Sequence, residues 1–311
     1  MSVKFPFVSR KRYQRLVAER DAARTAIAEQ RLQIAELQDM HRAVLELPRN
    51  LANRSPVQWL KCPAATPTGE SCLFVTHAAT QQLKPHVLDH CRALIDAGIG
   101  VILVINTDLP AEALQVPQSL LDSLHGCVRR ENAGYDFAAW AHAYSLLDTT
   151  RLERLYLVND SIVGPLDDAT FGSMIARIRA SHADLVGLTQ NPHPRWHLQS
   201  FFLIANRGLL RAPLFRELML NIVNLPTKQA VIDTYETQIS GYLLAHGLRC
   251  AAVFPQLEPG SPLPDDSFFR WSQLVDSGFP YVKASILKRV HGDAEARTRV
   301  PARYRDAAAV S

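Results

Sequence analysis

Several groups in this chain are of the kinds that hold charged, hydroxyl-rich ligands, and each sits where an apolar run gives way to a loop. Asn159-Asp160-Ser161 follows Leu155–Val158, placing one carboxylate between two neutral oxygens at a predicted strand end. There it could hold Mg²⁺ or Mn²⁺ against a phosphate that completes the shell, or it could shape a turn before Gly164-Pro165. Asn132-Ala133-Gly134 opens the segment Tyr135–Leu147. Gly134 permits positive φ or a close backbone approach, and the free N–H groups of a helix start suit an oxyanion. Arg129 and Arg130 precede it, and Asp136 lies in the first helical turn, where it can serve as a cap. Asn106-Thr107-Asp108, just past Gly100–Ile105, can bond a base or ribose or close an Asx turn. In His197-Leu198-Gln199-Ser200-Phe201-Phe202, a period of two puts His197, Gln199 and Phe201 on one side and Ser200 and Phe202 on the other. Such a lining suits sugar hydroxyls. Glu236 is either a general base for a hydroxyl proton or, with Asp233, half of a capping box. His193 and His197 have metal-pair spacing, but Pro192 and Pro194 forbid the helix that pair needs, so zinc is excluded.

Alternating elements must position these groups. Cys72–Thr76, Gly100–Ile105, Cys127–Val128 and Leu155–Val158 read as strands. Helices are expected between them at Pro85–Ala97, 111–123 and Tyr135–Leu147. This predicts an α/β fold with a doubly wound, mostly parallel sheet flanked by helices, whose ligands sit outside the carboxyl ends of the strands. A helix at 168–182, strands at Leu185–Leu188 and Leu198–Ala205, and helices at 213–222 and 228–246 complete the core. The stripe Phe137, Trp140, Tyr144 reads as core. Val231, Tyr235, Ile239 and Tyr242 should also face inward, leaving Asp233 and Glu236 together on another helix face.

Residues 9–47 contain neither Gly nor Pro and repeat apolar residues at near-heptad spacing, predicting a long amphipathic helix or coiled coil. The expected organisation is an N-terminal arm over 1–50, a linker over 51–70, the α/β domain over 71–287 and a basic tail over 288–311. A homo-oligomer through residues 9–47 is the first expectation for the arm. Peripheral contact with an acidic membrane surface is the second, because Arg10-Lys11-Arg12 opposes the helix dipole. Across 311 residues, 47% are hydrophobic and 21% charged, with a net charge of +4, which excludes a disordered chain and carries no nucleic-acid signature. Five scattered cysteines without a CxxC pair fit free thiols in a reducing compartment. With no apolar run long enough to span a bilayer and no signal-peptide pattern, the expected location is cytoplasmic, with association to the inner membrane face as an option.

The order of these pieces resembles inverting glycosyltransferases of the GT-A fold, and more closely the rhamnan synthesis protein F family of bacterial polysaccharide glycosyltransferases. The likeness rests on Arg130 to Trp140, Asn159 to Pro165, His197 to Phe202, Tyr235-Glu236 and Gly278 to Lys283. It implies transfer of a sugar, with rhamnose from a dTDP-activated donor the expected case, onto a cell-surface glycan acceptor. By that likeness Asp160 binds the diphosphate's metal, Asn106, Asp108, Arg130, Asn132, Gly134, Asp136, Asn159 and Ser161 line the donor site, and Glu236 is the base. His197, Gln199 and Ser200 meet the acceptor. One departure stands out: Asn159 occupies the first acid position of an Asp-x-Asp motif, which leaves either Mg²⁺ or Mn²⁺ dependence or metal independence open. The alternative from another class is a non-catalytic glycan-binding or scaffold subunit of a polysaccharide assembly complex.

Overall fold

The computed structural model describes residues 10–46, 55–261, 263, 265–289 and 298–305. Parts of the expected arm, linker and tail lie outside these residues. The chain divides into two units, residues 1–48 and 49–311. In the first, α1 (Arg10–Glu46) runs unbroken, as a stretch of strong helix formers should. Its Leu16 and Ile27 side chains are exposed.

The second unit is built on an eight-stranded sheet. Its strands are β1 (Val57–Lys61), β2 (Gly69–His77), β3 (Gly100–Asn106), β4 (Gly126–Arg130), β5 (Leu152–Asn159), β7 (Leu185–Gly187), β10 (Phe202–Asn206) and β11 (Cys250–Ala252). Their order is β1-β4-β3-β2-β5-β10-β7-β11. Strands β4, β3, β2 and β5 are mutually parallel, while β10 runs antiparallel to both its neighbours. The expected mixed α/β architecture with a mainly parallel sheet is therefore present. The unbroken apolar run of β3 is explained by its place inside the sheet, with Val101 to Ile105 buried. Helix α2 (Pro85–Asp96) returns the chain from β2 to β3, and α4 (Tyr135–Ser145) returns it from β4 to β5. The indole N–H of Trp140 donates to Leu73 O at 3.1 Å and Val158 O at 3.2 Å, so α4 is fastened across β2 and β5. Its aromatic stripe is core, as expected.

Several boundaries differ from the sequence reading. Residues 57–61, inside the expected linker, form edge strand β1, antiparallel to β4. The helix expected over 111–123 is a short 3₁₀ turn, Ala111–Ala113, followed by α3 (Gln118–Ser123), because Pro110 and Pro117 punctuate it. The strand expected at Leu198–Ala205 is broken into β9 (His197–Leu198), which pairs with β8 (Gln190–Asn191), and β10. The C-terminal segment does not trail off throughout: β12 (Val282–Lys283) pairs with β6 (Ile162–Val163), and Val300 and Tyr304 pack against Val163 and Val282. Among the described residues no helix is long and apolar enough to cross a membrane.

Candidate functional site

Strand β5 delivers its polar end, Asn159-Asp160-Ser161, to a cavity of about 660 Å³. The cavity is also bordered by Asp136 at the start of α4 and by Glu236, with His197, Gln199 and Ser200 in between. Asp160 is held closely. Its Oδ2 accepts from Thr76 Oγ1 at 2.6 Å, the His77 backbone N–H at 3.1 Å and Lys84 Nζ at 2.9 Å. Burial raises its pKa, but the charge of Lys84 and the hydroxyl of Thr76 outweigh that and hold the carboxyl below the usual range.

The neighbouring amide explains the departure from Asp-x-Asp. Asn159 Nδ2 donates to Asp136 Oδ2 at 2.5 Å, and its Oδ1 accepts from the Ser161 N–H at 3.1 Å and hydroxyl at 2.6 Å. An aspartate here could make the second set of bonds only by pressing a like charge on Asp136. Asp136 is already strained electrostatically: burial and the nearby Glu236 carboxylate push its pKa up to about 6.

Glu236 reaches the cavity through an irregularity that the sequence reading did not include. Between α8 (Lys228–Val231) and α9 (Thr237–Ala245) lies a five-residue π-helical turn, Ile232–Glu236, a wider winding that re-aims side chains and recurs at functional sites. The helix start is capped by Thr227, whose side chain accepts from the Ala230 N–H. The Asp-x-x-Glu capping box is therefore not used. Asp233 is exposed and bonded to Gln229, apart from Glu236. Tyr242 is half-buried, with Leu243 in the core position instead. The Glu236 carboxylate accepts from the Ser200 hydroxyl and faces His197 Nε2 at 3.7 Å. Since Arg195 O can only accept, His197 Nδ1 donates to it at 2.8 Å, which turns Nε2 toward Glu236. Burial pushes the Glu236 pKa up. Hydrogen bonds from His197 and Ser200, with the charges of His197 and Lys283, bring it below the ordinary value.

The break between β9 and β10 also corrects the period-two expectation. His197 and Ser200, assigned to opposite sides, both meet Glu236. Gln199 instead accepts from Thr189 at 2.6 Å and Ser267 at 3.1 Å, which ties the short helix Asp266–Phe269 to the cavity wall. Period two holds only for extended strand, and residues 199–201 are not in one.

Another group of expected donor-site residues is placed elsewhere. Arg130 is 1% exposed, and its guanidinium donates to Asn106 Oδ1, Glu131 O, Ala133 O and Asn224 Oδ1. Burial lowers its pKa to about 10. Asn106 also donates to Tyr135 O at 3.3 Å. These two residues brace the turn before α4. Asn132 and Gly134 border a separate hollow of about 390 Å³ with Asn224, and Asp108 is exposed outside both. Sequence reasoning passed over Thr76, Lys84, His86, Asp265 and Lys283, all near or on the main cavity. Only Lys283 had a signal, as the last residue of the Gly278 to Lys283 motif.

The donor set around Asp160 is a poor fit for a divalent cation, because one on Oδ1 would still lie close to the ammonium held on Oδ2. The other cavity acids are engaged: Asp136 with Asn159, Glu236 with Ser200, and Asp265 with Lys283 at 2.7 Å. Among the described residues no group of three or more His, Cys, Asp or Glu side chains could hold a metal ion.

A model of the rhamnan synthesis protein F family matches residues 101–300, and the chain belongs to that family. It is 24% identical over 221 residues to virulence protein VirA of Vibrio anguillarum, covering 60% of this chain and 69% of that protein. Among solved structures it is similar to mannosyltransferase PcManGT from Pyrobaculum calidifontis in complex with GDP-Man and Mn2+. That similarity has 12% identity and a TM-score of 0.38, covering 90% of this chain and 78% of the other. Family membership supports a glycosyl-transfer role.

Proposed function

We propose that the chain is an inverting, GT-A-like glycosyltransferase that moves a sugar from a nucleoside-diphosphate donor to a glycan hydroxyl, with dTDP-rhamnose the first donor to test. The observation that carries this reading is Glu236. It is an ionised carboxylate held by Ser200 and His197 in the wall of a polar cavity that Asp160 and Lys84 also line. Glu236 takes the proton of the acceptor hydroxyl while that oxygen bonds the anomeric carbon and the carbon–diphosphate bond breaks. Asp136 and Asn159 fix the end of β5 against α4, so that the acid and amide dipoles are already arranged when the sugar arrives.

The test is turnover of a nucleotide-sugar panel, with released nucleotide and glycosylated product both measured by mass spectrometry. Glu236→Gln should lower turnover by about 10²- to 10⁴-fold while nucleotide binding persists. One observation favours the second reading, a glycan-binding subunit: a carboxyl held below its ordinary pKa is a weak base near neutral pH. No turnover by wild type with any donor, and glycan binding undiminished in Glu236→Gln, would favour that reading.

A further inference from the structure

The surroundings of Asp160 point to a different source of positive charge from the metal that the family resemblance implies. A divalent cation needs carboxylate lone pairs directed at it. Oδ2 of Asp160 already accepts three donors, one of them the Lys84 ammonium at 2.9 Å. A second cation on that oxygen would meet a like charge in a site largely withdrawn from water. The cavity is nevertheless well supplied with cations, since Lys84, Lys228, Lys283 and Lys288 all border it. Lys84 and Lys283 are both fixed by an acid, Lys283 by Asp265, and Lys84 is the one held at the polar end of β5. An ammonium has three N–H donors, and the structure shows one bond, to Asp160, while 20% of the side chain remains exposed at the cavity.

We propose that Lys84, oriented by Asp160, binds the diphosphate of the donor directly, so that the site takes nucleoside diphosphates without a divalent metal. This deepens the reading of the same cavity as a nucleotide-sugar site and rests on it. When the bond between anomeric carbon and phosphate oxygen breaks, its electron pair stays on that oxygen. Lys84 stabilises the new charge by hydrogen bonding without giving up its proton. The proton lost by the acceptor hydroxyl goes to Glu236, and the new bond joins acceptor oxygen to anomeric carbon. Asp160 acts through Lys84 and is a positioning residue.

The experiment is calorimetric titration of the full chain with dTDP, UDP and GDP, once in EDTA and once in Mn²⁺. Binding of at least one diphosphate should be the same in both. Lys84→Met should weaken it about tenfold or more, and Lys84→Arg should retain most of it. Because Lys84→Met leaves Asp160 buried without its cation, the double variant Lys84→Met/Asp160→Asn guards against a folding defect. It should melt cooperatively and bind no worse than Lys84→Met alone, the non-additivity expected if Asp160 acts only through Lys84. Binding seen only with Mn²⁺, or intact in Lys84→Met, overturns the inference and leaves glycosyl transfer standing. No binding of any diphosphate in either condition overturns the nucleotide-sugar reading and this inference together.

Discussion

Asn159 shows what a single atom type can decide. As a sequence letter it is a missing acid. In the structure it is an amide whose NH₂ satisfies Asp136 while its carbonyl organises Ser161. That partner could not be read from the sequence, because Asp136 belongs to another element and only the α4 crossover brings it alongside. Restoring the acid should therefore harm the protein: Asn159→Asp is expected to cost about 2–4 kcal/mol at pH 8, measured by urea denaturation. Asp136 makes a pH-linked prediction of its own. Its folded pKa, about 6, lies above the ordinary aspartate value of 3.8. Rising pH therefore favours the unfolded chain between those values, and the full penalty applies above about 6. Asp136→Asn removes the titration but loses one acceptor. It should raise stability by about 1–2 kcal/mol at pH 8, with the gain shrinking below pH 6 and giving way to a small loss near pH 4, where only the missing acceptor counts. A stability gain that stays constant across that range would rule out Asp136 as its source.

At the scale of elements, the turn into α4 and the π-helical turn before α9 contribute most to the site's arrangement. Gly134 has φ of +71°, and a Cβ there would lie 2.4 Å from Asn224 Oδ1 and 2.6 Å from its Cα. Gly134→Ala thus combines backbone strain with a collision against main chain, and should destabilise by about 2–4 kcal/mol in denaturant titrations. The glycine and its positive φ were legible in the sequence, but its close neighbour was not. It was read as permitting positive φ or a close backbone approach; its φ is positive, and the close approach is to Asn224, a residue too distant in sequence for any local pattern to connect. The strands of the parallel half were legible because β2, β3 and β5 are buried on both faces and show it as unbroken apolar runs. The π-helical turn was not, since helical periodicity assumes one winding throughout. That assumption put Asp233 beside Glu236 on one face. The extra residue per turn separates them.

For the whole molecule, residues 10–46 and the sheet-bearing unit make separate contributions. The exposed Leu16 and Ile27 on α1 and its unbroken length fit self-association through this helix. Sedimentation of the full chain should show a concentration-dependent dimer or higher assembly, and a species that stays monomeric at high concentration would exclude the coiled-coil proposal. The order of β/α units gave the architecture of the first half, because right-handed crossovers leave few alternatives. The second half, with antiparallel β10 and a returning C-terminal segment, follows no such rule, and its contribution to the cavity was legible as residue types, His197, Gln199, Ser200 and Glu236, but not as an arrangement. That return has a consequence for the protein's synthesis. Strands β6 and β12 pair Ile162 with Lys283, and Lys283 is also the cation that meets Asp265 at the cavity. A chain emerging from the ribosome can lay down every strand of the main sheet well before this residue is made. The pocket acquires its last wall only after all eight strands of the main sheet have been made, so a chain truncated between Ala252 and Lys283 would display a folded sheet beside an open, incomplete ligand site.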